Sequence, residues 1–139
     1  MNESLQVVRR FYSSLAVGAV PEALDLLDQH IEWTEAERSP YGGTVRGADA
    51  VASGVLQPIN EDFDGFACTP VDFLTDGDRV STFGSYTGTF RLTGEKLDAP
   101  FVHLWTVING RIVRFVQFTD SAAWNEAFGS AGAFRRLRI

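Results

Sequence analysis

The stretch PFVHLWTVINGRIVRFVQFTD, residues 100–120, decides the fold. Two apolar runs rich in β-branched and aromatic residues flank Asn109-Gly110, the dipeptide that best tolerates the positive φ angles of a two-residue hairpin turn. Side chains alternate along a strand, so Phe101, His103, Trp105 and Val107 share one face, and Val102, Leu104, Thr106 and Ile108 the other. On the second strand Val113, Phe115, Gln117 and Thr119 alternate with Ile112, Arg114, Val116, Phe118 and Asp120. Both faces are largely apolar. Parity therefore leaves open which one looks inward, and it suggests that the outer face is also covered, as a homodimer through the sheet would do. An imidazole in the middle of such a strand, at His103, is either a satisfied structural residue or part of a pocket.

The neighbouring segments extend the pattern. Upstream, FACTPVDFL and RVSTFGSYTGTFRL flank TDGD, in which Asp76 and Gly77 supply a second hairpin turn. Gly84 and Gly88 lie inside one of these strands, where glycine marks a bulge or a sharp bend, so the sheet is expected to curve strongly. Before residue 63 the spacing is helical. Leu5, Val8, Phe11 and Leu15 fall three to four apart, Asn2 or Ser4 can cap the start, and Gly18 can close the end. A short second helix is read in VPEALDLLDQ, with Pro21 in its first turn. HIEWTEAE, residues 30–37, is read as the first strand, with Trp33 and Glu35 on one face. SPYGGTVRG is read as a loop, and ADAVASGVLQPI as a third helix ended by Pro58. SAAWNEAF is a closing helix, for which Asp120 is most simply the N-cap. Helices first and antiparallel strands afterwards make an α+β layout, with the helices covering one face of the sheet.

Composition narrows the function. The 139 residues suit a single domain, 1–139, with one sizeable core. A mean hydropathy of −0.04 with 45% hydrophobic residues fits a folded soluble protein. The net charge of −6 repels phosphate backbones, and the only basic run is RRLR at Arg135–Arg138, so nucleic acid is not an expected partner. The N-terminus lacks the apolar run of a signal peptide, and nowhere do eighteen apolar residues follow one another, so no membrane role is expected. The single cysteine, Cys68, permits no internal disulfide and fits a reducing cytoplasm. Two histidines and one cysteine form no metal-ligand motif. YGGTVRG is neither a dinucleotide fingerprint nor a phosphate loop, and there is no G-x-S-x-G elbow. Any catalysis is expected to be free of cofactor and metal.

The order of elements, together with EWTEAE, PYGGTVRG, VHLWTVINGRIVRFVQFTD and SAAW, resembles the SnoaL-like, ketosteroid isomerase-like branch of the nuclear transport factor 2-like superfamily. The resemblance covers essentially the whole chain. It implies a cone-shaped, mostly antiparallel curved sheet wrapped around the N-terminal helices, a cystatin-like α+β fold with one internal apolar pocket and frequently a dimer. It does not select a reaction, because this fold hosts isomerases, cyclases, epoxide hydrolases, dehydratases and binding domains. In the steroid isomerases a carboxylate after the first strand shuttles a proton beside a carbonyl, while a tyrosine and a protonated aspartic acid donate to the oxyanion. Ungapped matching puts Glu35 at the carboxylate, His103 at the aspartic acid and Phe11 at the tyrosine. Phe11 has no hydroxyl, and Tyr12 is read on a different helix face. The catalytic aspartate of the epoxide hydrolases falls near Gln117, which is neither acid nor base.

What remains is an acid-base couple of Glu35 and His103, with Trp33, Tyr41, Tyr86, Trp105, Phe115 and Gln117 shaping a site for a small apolar or carbonyl-containing molecule. The plainer reading leaves Glu35 at a strand end in solvent. Arg46 and Arg114 are read as surface or ion-pair residues, and His30 as exposed. Two functions of different class follow: a cofactor-independent isomerase, cyclase or hydratase that moves a proton next to a carbonyl, or a noncatalytic ligand-binding or dimerisation domain of the same fold.

Overall fold

In the computed structural model, which describes residues 2–129, helix α1 (Glu3–Ala16) begins at Asn2, whose side-chain oxygen accepts from the Leu5 N–H at 3.0 Å. Val7, Val8, Phe11 and Tyr12 are all buried on it. On a 3.6-residue helix these positions span an arc of about 140°, wider than a helix resting on a flat surface needs. The sheet curves around α1, so two adjacent aromatic residues both face inward.

Helix α2 (Val20–Leu24) is shorter than its apolar spacing suggests. The chain is already extended at β1 (Leu27–Glu35) because Leu27 pairs with Ile112 of the last strand. The segment expected to be a loop contains a short edge strand, β2 (Gly43–Arg46), antiparallel to β1 with Trp33 opposite Val45 and Glu35 opposite Gly43. Helix α3 (Ala48–Val51) runs through a wider π-type stretch, Ala52–Leu56, into α4 (Gln57–Asp62). Pro58 therefore does not end the third helix. It sits in the first turn of α4, where a proline ring is tolerated, after a π-turn that changes the hydrogen-bond register.

Four long strands follow: β3 (Phe63–Asp76), β4 (Arg79–Phe90), β5 (Lys96–Ile108) and β6 (Arg111–Thr119). The sheet order is β2-β1-β6-β5-β4-β3, antiparallel except for β1 beside β6. The Asn109-Gly110 turn takes φ of 51° and 77°, as a type I′ hairpin requires. The interior glycines of β4 act through their neighbour, since β3 bulges opposite both, between Pro70 and Asp72 beside Gly84 and between Asp64 and Ala67 beside Gly88. A Cβ on Gly84 would lie 2.2 Å from the Thr69 carbonyl oxygen and 2.5 Å from the Phe101 ring, so only glycine permits this bend.

Helix α5 (Ser121–Phe128) closes one end with Trp124 and Phe128. Asp120 is its N-cap, accepting from the Ala123 N–H at 3.2 Å, an interaction worth about 1 kcal/mol. The face of Phe101, His103, Trp105 and Val107 is the buried one. On the other face Phe83, Val102 and Phe118 stand in one row across β4, β5 and β6, with Phe83 and Phe118 exposed; this is the surface to which the dimer expectation refers. Arg46 and Arg114 form ion pairs with Glu32 at 3.0 and 3.4 Å, and His30 is exposed. The basic run 135–138 lies outside the described residues. Among the described residues no helix is long and apolar enough to cross a membrane.

Candidate functional site

Between α1, the π-type stretch and the inner face of the sheet lies a cavity of about 70 Å³. Phe11, Trp33, Trp105 and Phe115 form its apolar floor, with Trp33 stacked on Phe115 at a ring separation of 3.8 Å. Val55, Leu56 and Ile59 form the wall supplied by the irregular helix, while Leu15, Leu56, Phe66 and Cys68, all only half-buried, mark the side that meets solvent. Among the described residues no lysine or arginine lines it.

Strand register brings the polar groups together. Thr82 of β4 lies opposite His103 of β5, and His103 opposite Gln117 of β6, so the three form one row on the buried face. Glu35 arrives from the end of β1, the strand parallel to β6. Its side chain is 3% exposed rather than in solvent. One carboxyl oxygen accepts from the Trp33 indole N–H at 2.9 Å, the other from the Gln117 amide at 3.1 Å. Burial raises the Glu35 pKa from an ordinary 4.5 to about 7, and these two hydrogen bonds only partly offset it.

Gln117 is oriented by the Ala36 N–H, which donates to its oxygen at 2.9 Å. Its nitrogen therefore donates both to Glu35 and, at 2.8 Å, to the Tyr86 hydroxyl. The Tyr86 hydroxyl lies 2.5 Å from Nε2 of His103, and the Tyr12 hydroxyl 2.5 Å from its Nδ1. The Trp105 indole N–H is shared between Tyr12 and Thr82, at 3.2 Å to each. His103 also stacks on Phe101, with the ring planes within 9°. Burial drives its pKa well below the ordinary 6.5, so the ring is neutral, and burial likewise pushes the Tyr12, Tyr86 and Cys68 pKa values up. A line of hydrogen bonds thus runs from Trp33 through Glu35, Gln117, Tyr86, His103 and Tyr12 to Trp105 and Thr82.

Of the residues singled out in the sequence, Glu35, His103, Trp33, Tyr86, Trp105, Phe115 and Gln117 all line the cavity. Tyr41 does not. Its hydroxyl donates to Asp62 at 2.6 Å and its ring packs edge-on against Trp124 and Phe128, so it ties the β1–β2 connection to α4 and α5. Two residues at the centre of the arrangement were not read from the sequence. Tyr12 reaches the cavity beside Phe11 rather than on a different face, and Thr82 stands behind His103. The doubled spacing Val7-Val8, Phe11-Tyr12 is the signal that both neighbours are inward; nothing local marks Thr82. Among the described residues no group of three or more His, Cys, Asp and Glu side chains is placed to hold a metal ion.

This arrangement supplies a carboxyl that exchanges its proton near neutrality and a set of buried hydroxyl and amide donors, all on one apolar cavity.

Comparison with known proteins agrees with the fold. The nuclear transport factor 2-like protein of Burkholderia thailandensis E264 is 32% identical, with 93% of this chain and 99% of that one covered and a TM-score of 0.89. A protein from Jannaschia sp. CCS1, described as a SnoaL-like polyketide cyclase, is 20% identical over 90% of both chains, with a TM-score of 0.75. One from Catenulispora acidiphila with a ketosteroid isomerase-like fold is 13% identical over 87% of this chain and 90% of that one, also at 0.75. No protein of curated function matches the chain in sequence. The SnoaL-like domain family matches residues 8–115, and with the Burkholderia relative this establishes that the chain belongs to the SnoaL-like family.

Proposed function

We propose that this protein moves a proton at the carbon next to a carbonyl of a small apolar ligand, without a cofactor, as an isomerase or a cyclase does. The observation that carries the reading is Glu35. Its carboxyl is buried, has no lysine or arginine in the cavity among the described residues, and holds its proton up to pH about 7. Half ionised near neutrality, it takes a proton from carbon as carboxylate and returns it as acid. The electron pair left on carbon moves to the carbonyl oxygen, which needs a hydrogen-bond donor; the Tyr86 hydroxyl, joined to Glu35 through Gln117, is the one at hand. The fold relatives described as a polyketide cyclase and as ketosteroid isomerase-like support this class of chemistry.

The test needs no knowledge of the natural substrate. Cyclopentanone incubated with the protein in deuterium oxide should lose its α-proton NMR signals faster than in buffer, and Glu35→Gln should return the rate to the buffer value. Exchange that survives Glu35→Gln removes Glu35 from the reaction. A second reading, a binding domain without chemistry, is favoured by Phe11, which leaves the expected tyrosine position without a hydroxyl, so that the one from Tyr12 reaches the cavity already bonded to His103. It predicts that the ketone binds and that its α-protons do not exchange.

A further inference from the structure

His103 has both ring nitrogens engaged by tyrosine hydroxyls, 2.5 Å away on each side. A neutral imidazole carries one N–H, so it donates to one tyrosine and accepts from the other. The tyrosine that accepts keeps its own hydrogen for a third group. His103 therefore has no hydrogen for a ligand, but it controls which tyrosine has one.

The Tyr86 oxygen receives the Gln117 N–H at 2.8 Å, and among the described residues its one acceptor is His103 Nε2. Tyr12 has a second oxygen beside it, that of Thr82, with which it shares the Trp105 N–H. With the cavity empty the row is one acceptor short in either tautomer: with the hydrogen on Nδ1, Tyr86 donates to Nε2 and Tyr12 turns to Thr82, whose own hydrogen is left over; with it on Nε2, Thr82 donates to Tyr12 and Tyr12 to Nδ1, and the Tyr86 hydrogen is left over. A ligand oxygen next to Tyr86 supplies the acceptor that Tyr86 otherwise lacks.

We propose that His103 is a positioning residue which, by carrying its hydrogen on Nε2 when a ligand is bound, frees the Tyr86 hydroxyl to donate to the ligand's carbonyl oxygen. This rests on the reading of the cavity as a carbonyl site. With the ligand in place Thr82 donates to Tyr12, Tyr12 to Nδ1, Nε2–H to the Tyr86 oxygen, and Tyr86 to the ligand, so every hydrogen of the row has an acceptor only in this tautomer. A ring that carries its hydrogen on Nδ1 beforehand loses it to water and gains one from water at Nε2, with no change of charge.

The test uses histidine labelled with nitrogen-15, in a His30→Asn background so that only His103 is seen, and cyclopentanone carrying carbon-13 at the carbonyl. Saturation with cyclopentanone should leave the Nε2–H tautomer alone, whatever the empty protein holds, together with a downfield carbonyl shift. Tyr86→Phe should lose the carbonyl shift, and Tyr12→Phe should retain it. An Nδ1–H tautomer in the saturated protein, a carbonyl shift that survives Tyr86→Phe, or no shift in the unmutated protein overturns the proposal. A tautomer change and carbonyl shift without α-proton exchange leave this donor in place and overturn the proposed reaction instead.

Discussion

Glu35→Gln is expected to give stability a rise with pH that the unmutated protein lacks, while it abolishes ketone exchange. An ordinary glutamate in the unfolded chain ionises near pH 4.5, whereas folded Glu35 keeps its proton to about 7. Between those values the unfolded state binds fewer protons than the folded one, so the stability contributed by protonated Glu35 is lost as pH rises, by about 3 kcal/mol in all. His103 acts in the opposite sense. Its unfolded form takes up a proton below pH 6.5 and the buried ring does not, so stability falls as pH drops below 6.5. From about pH 4.5 to 6.5 the two slopes oppose one another, and the unmutated protein should show little dependence there from this pair. The variant loses the Glu35 slope and should become steadily more stable up to pH 6.5, then level off. Relative to the unmutated protein it should gain about 3 kcal/mol between pH 4.5 and 8. A constant offset is expected on top, because a glutamine at position 35 has a single acceptor oxygen and an amide nitrogen that only donates, so it cannot serve both Trp33 and Gln117. Denaturant titrations across this range check the slope independently of the offset. Parallel curves for the two proteins would remove the raised Glu35 pKa and with it the basis for its role as base.

His103→Ala is expected to destabilise the protein strongly and to cost at least about 100-fold in exchange rate. The substitution leaves a void beside Phe101 and takes a partner from two buried tyrosine hydroxyls at once. Together these should cost about 3 kcal/mol, lowering Tm by roughly 10 °C. A purely structural histidine predicts the same fall in Tm, so chemical rescue separates the roles. Imidazole added to the variant can fill the void, accept from one tyrosine and donate to the other, and should restore part of the exchange. 1-Methylimidazole lacks the N–H and should not. Equal rescue by both compounds would mean that the ring fills space and directs no hydrogen.

Much of this was legible because its causes are local. Asn109-Gly110 forms its turn through positive φ at both residues, and Asp120 caps the last helix through its own side chain. Parity grouped Phe101, His103 and Trp105 correctly but could not say that their face was inward, since Val102, Leu104 and Ile108 are equally apolar. What was hidden depends on residues far apart. β2 is four residues long and bounded by glycine, and its pairing with β1 gives no periodic signal. Pro58 reads as a helix stop unless the π-type stretch before it is known. Tyr12 stands 91 positions from the imidazole it bonds, and Thr82 joins the row only through the register of β4 on β5. The family resemblance located Glu35 and His103, yet it placed Phe11 where the hydroxyl should be. The fold supplies a hydroxyl from the next residue along the helix instead.

The parallel pairing of β1 with β6 also has a bearing on how the chain folds. Glu35 and Gln117 are 82 positions apart, and the strand that carries Gln117 is the last in sequence among the described residues. The hairpins close short loops, but β1 meets β6 only after nearly the whole chain has been gathered, and closing so long a loop is slow. The cavity should therefore be completed in the final step of refolding. Trp33 and Trp105 lie in its floor, so tryptophan fluorescence should reach its native value in the slowest phase, after the β5–β6 hairpin has become protected from hydrogen exchange. Native fluorescence before that protection would invert the order. A chain that stops short of residue 117 would carry the carboxylate, the imidazole and both tyrosines, and still have no enclosed site to hold them in.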